Sequence, residues 1–487
     1  MRKNLLCSIS ATFACIVLLT PMGCGGGGSS NSTGIGVTTF MVSGALTGLG
    51  AGQSVSIQDN GGDKLILSAD GAFSFPMRLE SGSAYAIKVL SHTPGIACSV
   101  NNGNGTVGSS DVTGIGVSCS AGTERVIYSF GANAADGQEP YAGVIIDSAG
   151  NLYGTTQTGG AYGLGTVFKI TGAGTETILH SFGASATDGQ TPRARVTLDS
   201  AGNVYGATLK GGANQIGTVF KIDTAGTETI LYSFGARAND GMDPSSGLII
   251  DSTGNLYGTT SVGGSGGSGT VYKIDPAGTE TILYSFGIGN TDGAIPGDLI
   301  RDSAGNLYGT TAQGGAYFEG TVFKISAVGT ETILHSFGVS ATDGLVPSAG
   351  LNRDSAGNLY GTTSRGGANI SGTVFKVDTS GSETILYDFG ASPTDGKFPG
   401  PNMGLIMDSS GSLYGTTANT VFKISVAGAE STLHSFVADA TDGLSPFAGL
   451  IVDSTGNLYG TTVNGGANFG KTMNGELNSG GTVFVID

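Results

Sequence analysis

Gly247-Leu-Ile-Ile-Asp-Ser-Thr-Gly-Asn-Leu-Tyr-Gly-Thr-Thr260, then Gly269-Thr-Val-Tyr-Lys-Ile-Asp275 and Thr279-Glu-Thr-Ile-Leu-Tyr-Ser-Phe286, hold four short apolar runs divided by turn-forming residues. Runs of this length, rich in β-branched and aromatic residues and bounded by Gly, Asp and Asn, read as strands, and no segment carries a helical period. The Asn-Leu-Tyr-Gly element begins at Asn151, Asn203, Asn255, Asn306, Asn358, Ser412 and Asn457, at steps of 52, 52, 51, 52, 54 and 45 residues. Repeats of this period with four strands each are the content of propeller blades, so residues 122–487 are expected to form a seven-bladed β-propeller in an all-β protein. The phase of the repeats points to a closed ring. They open on a lone fourth strand, Glu124-Arg-Val-Ile-Tyr-Ser-Phe130, and finish after a third, Gly481-Thr-Val-Phe-Val-Ile-Asp487. Pairing the two would hide both free edges, which otherwise invite aggregation.

Upstream, residues 37–121 alternate apolar and polar positions in short runs such as Tyr85-Ala86-Ile87-Lys88-Val89, with turn signals at Asp59-Asn60-Gly61-Gly62 and Ala69-Asp70-Gly71. A small β-sandwich is expected there. The first 23 residues have Arg2 and Lys3, then an apolar run from Leu5 to Leu19 that is short for a membrane span, as in an export signal. Cys24 and the Gly/Ser tract after it, through residue 36, read as an anchor and flexible tether. With Cys7 and Cys15 in the removable segment and Cys24 taken by the anchor, Cys98 and Cys119 remain, and a single disulfide in an oxidising compartment accounts for them.

Three resemblances sharpen this picture. The Cys24-Gly25-Gly26 start is similar to mature bacterial lipoproteins, which implies lipidation of Cys24 and residence at the outer membrane or cell surface, with simple secretion as the alternative. The 37–121 module resembles the immunoglobulin-like stalks beside such anchors. Asp-Ser-x-Gly-Asn-Leu-Tyr-Gly-Thr-Thr followed by Gly-Thr-Val-Phe-Lys-Ile resembles the bacterial choice-of-anchor GloVer tandem repeats, which implies an exported, anchored protein and no particular activity.

A net charge of −16 repels phosphate backbones, so nucleic acid is not an expected partner. The Gly-x-Ser-x-Gly string at 263–267 and the Gly-x-x-x-x-Gly-Lys-Thr string at 465–472 join strand to strand and open no helix, so neither is a nucleophile elbow or a phosphate loop. His-Glu-x-x-His is absent, and the absence of Trp removes the strongest sugar-stacking surface. The sequence therefore names no catalytic residue, no metal ligand and no cofactor. It points to a monomeric, surface-anchored binding or scaffold protein for a polysaccharide or protein ligand. The alternatives are an extracytoplasmic polysaccharide lyase or hydrolase and a purely structural envelope protein.

Seven Asp-Gly pairs, from Asp136 to Asp442, read as turns because each loop offers one Asp, where calcium loops gather several. His180, His335 and His434 replace Tyr128, Tyr232, Tyr284 and Tyr387 of the other repeats, as aromatic packing residues with a polar tip. Lys169 and its counterparts are expected to face Glu176 and its counterparts across a hairpin as exposed rim pairs.

Two departures from the repeat are candidate binding features. Arg301 and Arg353 replace the apolar residue seen as Ile146, beside the expected channel, where two guanidinium groups could hold a carboxylate or acidic sugar. The loop between second and third strands shrinks to Ala418 in the sixth repeat and grows to residues 463–480 in the seventh. The expected notch carries Phe469, Lys471, Met473 and Glu476.

Overall fold

The computed structural model describes residues 37–400, 404–436, 442–473 and 476–487. The signal segment, Cys24 and the tether lie outside these residues, and the side chains of 472–477 are likewise outside the description, Met473 and Glu476 among them.

Every element among the described residues is a β-strand. Residues 37–121 form two four-stranded sheets, one joining Gly71–Ser74, Val42–Thr47, Val112–Ala121 and Ile96–Asn101, the other Asp63–Leu67, Val55–Asp59, Ala84–His92 and Asn104–Thr106. They close over one core that includes Val42, Val55, Ile57, Phe75 and Val117. Cys98 and Cys119 face each other across neighbouring strands and are bonded as a disulfide.

The repeats build sheets of one design. Ile249–Ile250, Leu256–Thr260, Thr270–Ile274 and Glu280–Ser285 pair antiparallel in chain order, and the same order recurs along the chain. Glu124–Ser129 pairs with Thr482–Ile486, so the first strand of the repeats completes the sheet of the last.

The repeated motif explains its own turn. Oδ1 of Asp147 accepts hydrogen bonds from the Ala149 and Asn151 amides, and Oδ2 from the Asn151 side chain and the Tyr153 hydroxyl. These bonds hold the carboxyl of Asp147, and of Asp199, Asp251, Asp302, Asp354 and Asp453, below the usual range. The Gly after Tyr is fixed by packing. A Cβ on Gly154 would lie 2.6 Å from the ring of Phe168 on the next strand.

Neighbouring sheets are joined by aromatic pairs. Phe182, at the end of one sheet's fourth strand, meets Phe220 in the third strand of the next at a ring-centroid distance of 5.1 Å. Equivalent pairs are Phe234–Tyr272, Phe286–Phe323, Phe337–Phe375, Phe389–Phe422 and Phe436–Phe484. Phe130, just after the first strand, meets Phe168 at 4.9 Å and returns the circuit to its start. The β-sandwich meets the last repeat where the His92 amide donates to the Thr455 carbonyl.

Candidate functional site

Equivalent positions from all the repeats line one central cavity of about 70 Å³. The innermost lining residue is Gly143, Gly247, Gly350, Gly404 or Gly449 in five repeats, Arg195 in the second and Asp298 in the fourth. Where symmetry alone would give seven glycines, this chain places one cation and one anion on either side of Gly247. Oδ1 of Asp298 accepts from the Gly247 amide at 2.8 Å, which fixes that carboxylate. Arg193, also in the lining, donates to Gln157 Oε1 at 2.7 Å, and its guanidinium lies 4.6 Å from the Tyr141 ring centroid. Tyr141 in turn stacks on Phe447, 6.1 Å away at an interplanar angle of 18°. A run of Phe447, Tyr141 and Arg193 thus spans the seventh, first and second repeats. It sets a stacked aromatic pair and a guanidinium next to the channel charges.

A second recurring constellation sits between neighbouring sheets. Tyr128 donates to Asp136 Oδ2 at 3.2 Å and to Glu176 Oε2 at 3.1 Å, the Asp coming from the loop after the Tyr strand and the Glu from the fourth strand of the next sheet. The other Asp-Gly carboxylates occupy the same place, and Asp136, Asp188, Asp240 and Asp343 are at most 4% exposed. These Asp residues are thus more than turn formers. They brace loop amides, as Asp188 does for Gly183 and Ala184, and reach the junction. Burial, reinforced by the neighbouring Asp136 and Asp292, pushes Glu176 and Glu331 up to about 7. Where Arg237 is present, its guanidinium pairs with Glu280 instead.

This geometry corrects the expected Lys–Glu rim pairs. Lys169 is opposite Thr177, and Glu176 is opposite Ile170. Adjacent residues on a strand point to opposite faces. The Lys ammonium therefore lies over the Tyr153 ring at 5.4 Å, while Glu176 turns into the junction. The histidines do pack as expected, His180 edge-on to Phe182 at 4.8 Å.

Ile300, not Arg301, lines the cavity. Arg301 lies 5.4 Å from the Tyr257 ring centroid and Arg353 5.6 Å from that of Tyr308, each stacked on the preceding sheet. In the long loop, Phe469 is 43% exposed and Lys471 Nζ donates to Asn468. The loop is tied toward the first strand of the repeats, where Asn468 donates to the Ser129 carbonyl and Asn478 to that of Gly131. Arg193, Arg195 and Asp298 are the residues that sequence reading missed. Their signal was the break in the glycine column three positions before Ile146.

These observations define an all-β tandem-repeat protein whose sheets are joined in a circuit and whose symmetry is broken at a few lining positions. The family described as the Gloeobacter/Verrucomicrobia repeat matches residues 88–301 and 296–487, and the chain belongs to that family. No curated protein matches it significantly in sequence. Among solved structures, the extracellular domain of a B. thetaiotaomicron protein described as a hybrid two-component system is similar at 13% identity and a TM-score of 0.47, over 71% of this chain and 39% of that one. The chain thus spans about two fifths of that relative's length. A gluconolactonase from Xanthomonas campestris is similar at 15% identity and a TM-score of 0.36, over 61% of this chain and 87% of that one. Likenesses of this size carry no activity across.

Proposed function

We propose that this chain is an exported, surface-anchored binding protein: a closed seven-bladed β-propeller held on an immunoglobulin-like sandwich, with Cys24 as lipid anchor. The Cys98–Cys119 disulfide supports export, because such bonds persist in oxidising compartments. We place ligand binding at the mouth of the central channel, and the ligand is a polysaccharide carrying carboxylates. The observation that carries this reading is the placement of Arg195 and Asp298 in a ring of glycines, with Arg193 beside them on Tyr141. Glycine serves at that position in five repeats, so the scaffold does not require a charge there, and the two departures support a binding role. Arginine recognises carboxylates through paired donors, and a sugar ring stacks on an aromatic face. Phe469 and Lys471 of the long seventh loop, both exposed, are a second candidate surface on the last repeat.

The test is a panel of acidic and neutral glycans offered to the parent and to a double variant, Arg193→Ser with Arg195→Gly, which installs the residues of the third repeat. Binding of uronic-acid polymers by the parent, weakened at least about tenfold in the variant with an unchanged melting temperature, is expected from losing a charge-assisted pair. Equal binding by both proteins, or no binding to any acidic glycan, would overturn the assignment. Cleavage of a bound glycan would move the protein to the lyase or hydrolase reading.

A further inference from the structure

We propose that the His180–Asp188–Glu228 junction, with its counterparts His335–Asp343–Glu383 and His434–Asp442–Glu124, binds a divalent transition-metal ion of the zinc class. In each group one ligand atom per residue lies within 4.8 Å of the others.

At the other junctions Tyr takes the place of the histidine. The Tyr128 hydroxyl reaches between two carboxylates and hydrogen-bonds to both. Imidazole is shorter. His180 Nε2 stops 3.5 Å from Asp188 Oδ1 and 3.6 Å from Glu228 Oε2, too far for either to be a good hydrogen bond. His180 Nε2 and Asp188 Oδ1 are both buried without a hydrogen-bond partner, and Asp188 is only 4% exposed. The second group repeats this, with His335 Nε2 3.8 Å from Glu383 Oε2 and with His335 Nε2 and Asp343 Oδ1 buried and unpartnered. In the third, His434 Nε2 is 3.4 Å from Asp442 Oδ2.

The separations in the first group are those a tetrahedral ion needs, and the other two groups hold their ligand atoms within 4.8 Å. Ligands about 2.1 Å from a zinc ion are about 3.4 Å from one another. The aspartates are already aimed: Oδ2 of Asp188 accepts from the Gly183 and Ala184 amides, and Oδ2 of Asp343 from those of Gly338 and Val339, which leaves Oδ1 facing the histidine. Once the glutamic acid gives up its proton to the incoming ion, two carboxylates and a neutral imidazole carry a charge of −2, which a divalent cation cancels. An imidazole in the set favours zinc and its transition-metal neighbours such as cobalt and nickel over calcium. His and Asp come from one sheet and Glu from the next, so each ion would staple neighbouring sheets. At the third group, Glu124 would tie the first strand of the repeats to the sixth.

The full-length protein, stripped with chelator and dialysed, is titrated with Zn²⁺ in a calorimeter and assayed for bound metal. Three zinc ions per chain are expected, with the visible absorption of a four-coordinate site when Co²⁺ replaces zinc. Each of His180→Tyr, His335→Tyr and His434→Tyr inserts the residue other repeats use and should remove one ion while the protein stays folded. The triple variant should bind none. If the parent binds neither zinc nor cobalt, or if the single variants keep the parent's stoichiometry, the histidines are imidazole clamps on carboxylates and the proposal fails.

Discussion

Deleting residues 124–130 from the full chain is expected to give a protein that aggregates or lacks a cooperative melting transition. Three losses coincide at this one strand. The ladder to Thr482–Ile486 disappears and leaves that strand as an exposed edge. Phe130, fully buried against Phe168, goes with it, and removing a buried Phe side chain alone typically costs about 3–5 kcal/mol. Glu124 also leaves the junction with His434 and Asp442. Against a total stability of about 5–15 kcal/mol for a typical domain, these losses are decisive. A deletion variant that melts like the parent would show that the repeats do not depend on closure.

The second large effect is a fall in stability between mildly acidic and alkaline pH, measured with chelator present. Burial and the neighbouring aspartates raise Glu176 and Glu331 to about 7, and burial also raises Glu430. A carboxyl raised in the folded state holds its proton there after the unfolded chain has lost it. Its contribution is fully present below about pH 4.5 and is lost as pH rises through about 7. Allowing for solvent screening, each junction loses on the order of 1–2 kcal/mol. The turn aspartates act with opposite sign. Their lowered carboxyls contribute stability above the ordinary Asp range, which is lost as pH falls through their folded values. The melting temperature should therefore peak near pH 5 and be roughly 5 °C or more lower at pH 8.5. Glu176→Gln and Glu331→Gln together should flatten the alkaline limb. A melting temperature that rises steadily from pH 5 to 8.5 would contradict the buried, protonated state of these groups.

The fold was legible because each repeat states its strands locally. The Asp-x-x-Gly-Asn turn, the Gly beneath Phe168 and the Phe ending each fourth strand recur in sequence as they do in space. The closing strand was legible from phase, and its pairing with Thr482–Ile486 follows the expectation. The cross-strand disulfide was legible by elimination.

What escaped depended on register and on distance along the chain. The hairpin turn puts Ile170 and not Lys169 opposite Glu176, which sends Glu176 inward, and nothing in the Lys–Glu spacing marks that side. The junction joins residues 8 and 48 positions apart, and each member has its own local explanation as turn, aromatic or rim charge. The channel lining begins before the first strand, at Gly143 and its equivalents, so a comparison made at Ile146 singled out Arg301 and Arg353 and passed over Arg195 and Asp298.

The repeats close on themselves through their first and last strands, and a cross-link between the two reports that pairing. Arg125 and Val485 are antiparallel partners across the closing pair. Arg125→Cys with Val485→Cys, in a chain keeping the native Cys98–Cys119 bridge, should form a second intramolecular disulfide on mild oxidation. Peptide mass spectrometry should recover the linked peptides, and the oxidised protein should melt above the reduced one. Two free thiols in the oxidised, folded monomer, or linkage only between separate chains, would contradict closure.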